Sequence, residues 1–348
     1  MNSSSSAKAG LLMLVIVLVS VTSWEIYLRK KGVDTSYDEG PSLFAHERGR
    51  VYQSSDKAVV VIGSSRIKYD IDIPTWENTT HTNLVQLACI GSTPIPVLTD
   101  LANDPAFKGR LIVDVTEILF FNNNPFFEIR PTSGLKNYKD RSPAQQASLQ
   151  LDRLVESQLV FLDKDNFSLN AELDKLEIKN RPGYFAMPLF PMEFERTRFN
   201  RQSYMTDKLV ADTNLRNRVM GIWDFLGNAM RSAPPMTAEE TEAIFSTVKD
   251  DVAKIKARGG DVIFTRTPSS GRFYMGESMG YPREKFWDKL LTVTGCQGIY
   301  FKDYPALRDF ICPENSHLSP AQAIEYTKEV INILETEKGW KFNNTSTN

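Results

Sequence analysis

The sequence predicts an α/β protein built on a doubly wound parallel sheet of about five strands, with helices on both faces. Three observations carry this expectation. Five short runs are continuously apolar and largely β-branched: AVVVIG (58–63), NLVQLA (83–88), GRLIVDV (109–115), DVIFTR (261–266) and GIYFKDY (298–304). A run without polar alternation suits a strand covered on both sides, the condition of a parallel sheet. Helical stretches separate the runs, and strands alternating with helices indicate crossover units. Two of those helices also carry their own start signals.

In chain order, the first element is AGLLMLVIVLVSVTSWEIYLRKKG, apolar from Ala9 to Trp24 and basic at Arg29, Lys30 and Lys31. A bilayer span takes about 20 mostly apolar residues. This stretch meets that length if Trp24 and Tyr27 form an interfacial belt and the basic side chains snorkel. An uncleaved transmembrane anchor is the reading adopted, with a cleaved signal peptide and a buried helix as its rivals. Only Lys8 precedes the apolar run, and VTSWE is a poor small-residue cleavage site. The flanking charges, counted literally, leave the large domain in the cytoplasm. The cysteines point the other way. Cys89 lies in an apolar stretch and reads as core, whereas Cys296 and Cys312, each beside a loop, are a candidate disulfide in an oxidising space. The expected localisation is a single N-terminal membrane anchor with the main domain extracytoplasmic (periplasmic), a topology that charge alone does not give.

After the polar linker KGVDTSYDEGP, the first strand ends on Gly63-Ser64-Ser65-Arg66, the second leads to CIGSTP, and the third to Asp114-Val115-Thr116-Glu117. Between Phe121 and Pro235 the pattern loosens. LQLDRLVESQLVFL (149–162) is helical, but NRPGYFAMPLFPMEFERTRFNRQ (180–202) is aromatic, basic and broken by prolines. The region reads as an insertion over one end of the sheet, either plain packing or a cover facing substrate. The helix from Thr237 to Arg258 opens with a capping box, Thr237 to Glu240. It sets Ile244, Val248, Val252 and Ile255 on one face and closes on Gly259-Gly260. Arg266 and TPSSG follow the fourth strand, and CPENSHLSP the fifth. The last helix has Ser319 as N-cap, Pro320 at the first helical position and Gln322 completing a box.

Composition narrows the function classes. The 348 residues are 41% hydrophobic and 24% charged, which is ordinary for a folded protein of one large or two average domains. A net charge of -2 supplies no basic face for nucleic acid. The first loop lacks both GxGxxG and the P-loop lysine pattern, which counts against a nucleotide-binding domain.

In a parallel sheet, ligands bind outside the carboxyl ends of the strands, so the residues following each strand are the candidates. Of the three histidines, His46 and His81 read as surface or packing residues. His317 lies in a loop that returns to the sheet end bearing Ser65, just before a capped helix. Scattered histidines make no metal site, and no cofactor is expected. The plain alternative for Gly63-Ser64-Ser65 is a turn that ends a buried strand.

The order of these blocks, GxS after the first strand, glycine after the second and acid-x-x-His-Leu before the last helix, resembles the SGNH hydrolase superfamily, the GDSL esterases. VVVIGSSRIKYDID, VQLACIGSTPIPVLTDLANDPAFKG, LIVDVTE and DFICPENSHLSPAQA are similar to bacterial membrane-anchored SGNH-like proteins. The likeness covers about 58–120 and 255–335. It implies an anchor and linker at 1–35 and a flavodoxin-like α/β domain at 36–348, with an insertion at about 122–235. By position, Ser65 matches the nucleophile, His317 the general base and Glu314 the acid that orients it. Gly91 matches a backbone oxyanion donor beside the Ser65 N–H. The chemistry agrees: a serine hydroxyl must pass its proton to imidazole as it attacks, and a carboxylate holds the tautomer.

Three positions depart from the family pattern. Ser64 and Glu314 each stand where the family usually has aspartate, and the third block lacks the asparagine that faces the oxyanion. Losing one oxyanion donor typically costs about 100- to 1000-fold in rate. Thr116, Arg66 or Arg266 is expected to compensate, with Glu117 turned aside. Arg266 either pairs with a nearby acid or faces the pocket to bind a carboxylate or phosphate, with Tyr274 or Tyr281 as sugar-stacking faces. The resemblance implies a membrane-anchored serine esterase or O-acyltransferase acting on an acylated cell-envelope glycan or lipid, in an envelope acyl-transfer complex. The alternative is a catalytically inactive binding or assembly subunit.

Overall fold

The computed structural model describes residues 3–53, 58–176, 188–231 and 236–342. Five strands, β1 (Val59–Ile62), β2 (Leu84–Gln86), β3 (Arg110–Asp114), β4 (Asp261–Arg266) and β5 (Gln297–Tyr300), form an all-parallel sheet in the order β2-β1-β3-β4-β5. Val60 lies between Val85 and Leu111, Ile112 opposite Ile263, and Thr265 opposite Ile299. All of β1 is fully buried, which is why its sequence has no polar alternation. The fifth run, expected to be strand as far as Tyr304, leaves the sheet at Tyr300 and turns through Phe301–Asp303. Among the described residues its one strand partner is β4, and the pairing ends where β4 does, at Arg266 opposite Tyr300.

The helices named below are α1 (Ser3–Lys30), α2 (Ser65–Asp70), α3 (Pro143–Glu156), α4 (Leu169–Asp174), α5 (Thr213–Arg231), α6 (Ala238–Ala257), α7 (Gly271–Gly280) and α8 (Pro320–Thr336). Both expected capping boxes are formed, Thr237 with Glu240 on α6 and Ser319 with Gln322 on α8. Val248, Val252 and Ile255 of α6 and Tyr326, Val330 and Leu334 of α8 join the strands in one buried core. The chain falls into two compact units, Met1–Asp38 with Ala147–Met187, and Glu39–Gln146 with Pro188–Asn348. The first contains α1, whose stretch Ser5–Lys30 is long and apolar enough to cross a membrane. The second contains the sheet. The region from 122 to 235 is therefore shared: 147–176 groups with α1 and 188–231 with the sheet, while 177–187 and 232–235 lie outside the described residues.

Cys89, Cys296 and Cys312 are free thiols. Cys296 precedes β5, its Sγ directed at the Thr294 carbonyl at 3.8 Å. Cys312 follows β5, its Sγ directed at the carbonyl of Pro268 at 3.6 Å, beyond the end of β4. The two flank a four-residue strand, a rise of ~13 Å, against a Cα separation of at most ~7 Å for a disulfide. The expected Cys296–Cys312 pair is not formed, and the cysteine argument for an oxidising compartment falls with it.

The sheet order reverses between β1 and β3, so the chain leaves a crevice where their carboxyl ends diverge. Gly63 lets β1 exit there. A Cβ at this position would sit 2.6 Å from Asp114 Cβ and 2.7 Å from Ile67 Cγ2. Gly63→Ala is expected to lower the urea midpoint by an amount equivalent to about 1–3 kcal/mol at unchanged m-value. A wild-type midpoint would mean that the two strand ends part freely.

Candidate active site

Ser65 is the first residue of α2, and the Ser64 side chain before it accepts from the Arg66 N–H at 3.4 Å as N-cap. The Cys89 N–H donates to the Gly63 carbonyl at 3.0 Å, which draws the loop after β2 alongside. That loop holds Gly91 at φ 57, a left-handed conformation that glycine adopts without strain. From the loop before α8, His317 brings Nε2 to 2.9 Å from Ser65 Oγ. Its Nδ1 lies 2.8 Å from Glu314 Oε1, and the same oxygen accepts the His317 backbone N–H at 2.6 Å. Glu314 thus folds back over its own turn. Asn315 between them has φ 76, a region asparagine tolerates better than most residues. With Nδ1–H given to a carboxylate, Nε2 is the acceptor for the serine hydroxyl. The indole Nε1–H of Trp223, on α5, donates to the second oxygen of Glu314.

Three aromatic rings enclose the imidazole: Tyr69 at 4.4 Å, Phe194 at 5.6 Å and Trp223 at 6.0 Å between centroids. His317 and Glu314 are 0% exposed, whereas Ser65 is half-buried. Both ends of α2 hold the histidine loop, since Ser65 meets His317 and Asp70 Oδ1 accepts the Leu318 N–H at 2.9 Å. Burial pushes the Asp70 carboxyl well above the usual carboxylate range. Its Oδ2 has no hydrogen-bond partner among the described residues, which suits a protonated carboxyl.

A buried layer of charge lies behind the serine. Arg66 pairs through Nη2 with Glu277 on α7, and its Nε donates to Ser316 Oγ at 3.3 Å. Arg266 pairs with the other Glu277 oxygen, with Glu117 Oε1 at 3.0 Å, and donates to Ser269 Oγ at 2.8 Å. Burial alone would raise the Glu277 carboxyl; the two guanidinium groups outweigh it and hold it below the ordinary carboxylate range. Arg66 and Arg266 therefore brace the strand ends. Glu117 is turned to Arg266. The Thr116 hydroxyl is taken up by Ser64 at 2.6 Å and Asp114 at 3.0 Å, and burial pushes the Asp114 carboxyl up to about 6. Tyr274 meets Phe301 and Tyr281 meets Phe286 edge-to-face, and both tyrosines are half-buried. His46 lies against Phe199 and His81 ends a helix at φ 51.

Ser65, His317, Glu314 and the Gly91 loop thus come from three separate sequence blocks to one sheet end. Trp223, Phe194, Tyr69, Asp70 and Glu277 were not singled out by sequence. Only the aromatic bias of 180–202 hinted at one of them. No family model matches this chain, and no curated protein is similar to it.

Two substitutions test the buried acids. A carboxyl raised in the folded state costs stability as pH climbs from the ordinary carboxylate range toward its folded value. Asp70→Asn keeps the acceptor for Leu318 without charge, so it is expected to escape that loss, whereas Asp70→Ala orphans the Leu318 N–H and costs about 1–3 kcal/mol. Urea titrations across pH check this, and a wild-type pH slope in the asparagine variant would show Asp70 ionised. Glu277 has the opposite sign: its depressed carboxyl stabilises the fold above the ordinary range and loses that contribution as pH falls through its folded value. Glu277→Gln strands the buried Arg66 and leaves Arg266 with Glu117 alone, and is expected to cost about 3–5 kcal/mol near neutral pH, with a shallower acid arm. A variant as stable as wild type would mean the arginines find other anions.

Proposed function

We propose that this chain is a membrane-anchored serine esterase or O-acyltransferase of the SGNH type, acting on acyl esters of a cell-envelope glycan or lipid. The observation that carries the reading is the relay Ser65 Oγ to His317 Nε2 at 2.9 Å and His317 Nδ1 to Glu314 at 2.8 Å. In this reading the sheet is doubly wound and flavodoxin-like, with an insertion at about 122–235. The α1 helix holds the protein in the membrane with its main domain extracytoplasmic, working within an envelope acyl-transfer complex.

Ser65 Oγ attacks the acyl carbonyl while its proton passes to His317 Nε2, and Glu314 steadies the imidazolium through Nδ1–H. The tetrahedral oxyanion is met by the backbone N–H groups of Ser65 and Gly91. The imidazolium then protonates the leaving alcohol, giving an acyl-Ser65 intermediate. Water or a sugar hydroxyl, deprotonated by the same Nε2, releases the acyl group and separates hydrolysis from transfer.

A second reading, an inactive binding subunit, is favoured by the engagement of Thr116 with Ser64 and Asp114, which removes Thr116 as a replacement for the third oxyanion donor. A fluorophosphonate probe discriminates the two. The wild type is expected to be labelled, Ser65→Ala not at all, and Glu314→Gln more slowly by about 100-fold or more, the scale set by losing the acid of a triad. Spheroplasts treated with a membrane-impermeant probe report the side on which Ser65 lies. A folded but unlabelled wild type would overturn catalysis in favour of binding.

A further inference from the structure

The helix α3 (Pro143–Glu156) buries none of its side chains, and neither does α4 (Leu169–Asp174). Isolated helices of this length are marginal in water, and most helices in proteins are held by packing an apolar face. These two have such faces. Leu151, Leu154 and Val155 recur at helical spacing on α3, and Leu169, Leu173 and Leu176 on and just past α4; all six are 47% to 75% exposed. Asp152, Glu156, Glu172 and Asp174 occupy other faces of the same turns.

The segment is tied to one place on α1. Glu25 accepts the backbone N–H of Val160 at 3.1 Å and of Phe161 at 3.3 Å, and Arg29 donates to the Gln158 carbonyl at 2.7 Å. The apolar stretch from Ala9 to Trp24 rises ~24 Å, a little less than a hydrocarbon core of ~30 Å. Trp24 and Tyr27, whose rings stack at 5.4 Å, then mark the membrane–water boundary. Residues 158–161, bonded to Glu25 and Arg29, are held at that same boundary.

We infer that residues 147–176 form a second membrane contact, lying in the lipid–water interface with the leucine faces of α3 and α4 turned into the bilayer that α1 crosses. The partner is the lipid surface. Acidic residues outnumber basic ones in this segment, with Asp152, Glu156, Asp163, Asp165, Glu172 and Asp174 against Arg153, Lys164 and Lys175. Attachment is therefore by apolar burial, ~5–10 Å deep, and independent of anionic lipid.

The full chain is reconstituted in phosphatidylcholine vesicles, with Cys296→Ser removing the part-exposed thiol; Cys89 and Cys312 are buried. Bimane is attached in turn to Leu154→Cys, Leu173→Cys, Asp152→Cys and Glu172→Cys. Doxyl-labelled lipid is expected to quench the two leucine positions several-fold more than the two acidic ones, without change when phosphatidylglycerol is added or salt is raised. Leucine positions quenched by aqueous acrylamide and not by lipid lie in water, and the inference is overturned. Protection from both quenchers means a protein cover, such as a second copy, and overturns it equally. Ile16→Cys reports the anchor separately: lipid quenching there alone leaves α1 a span and removes only the interfacial segment, while its absence removes both.

Discussion

Two guanidinium groups buried at the carboxyl edge of the sheet require a negative partner, and Glu277 serves both of them. Arg66 belongs to α2, Arg266 ends β4, and Glu277 rides on α7, so one carboxylate joins α2 to two consecutive elements far along the chain. Unpaired, each cation would carry a desolvation penalty of several kcal/mol. Arg66 also reaches Ser316, the neighbour of His317. The position of the histidine loop relative to the serine helix is therefore set from below by a charge network that does not touch the Ser65–His317 hydrogen bond.

That network divides the labour at the sheet end. The charged side chains following β3 and β4 are consumed in pairing, and the acids that lack a full cation, Asp70 and Asp114, are pushed toward their neutral forms by burial. Ser65 is left half-buried above this layer. Glu314 is held differently, by a backbone N–H, an imidazole and an indole converging on one carboxylate.

The strands were legible in the sequence because burial on both faces erases polar alternation, and α6 and α8 because their caps are local. Ser65, Glu314 and His317 were legible for a related reason: each follows a strand or precedes a capped helix, and a parallel sheet gathers such positions. The partners of Arg66 and Arg266 were not. An arginine after a strand has the same sequence whether it meets a substrate or a buried acid, and Glu277 lies on a helix with no distinguishing pattern. Trp223 and Phe194 reach His317 across long loop closures that local periodicity does not encode. The cysteines misled because Cys296 precedes the fifth strand and Cys312 follows it, and their sequence separation does not say whether the later loop folds back.

The sealed imidazole has a kinetic corollary. His317 is walled by Tyr69, Phe194 and Trp223, and its two nitrogens are committed to Glu314 and Ser65. A proton on Nε2 has one exit, past the serine oxygen. On the acyl-transfer reading, the proton taken from Ser65 is sheltered from bulk exchange and returns to the departing alcohol. The incoming acceptor must then queue at the same doorway that the first alcohol has left. On that reading turnover is ordered, one alcohol out before the next comes in, and the fate of the acyl group rests on which hydroxyl fills that opening first.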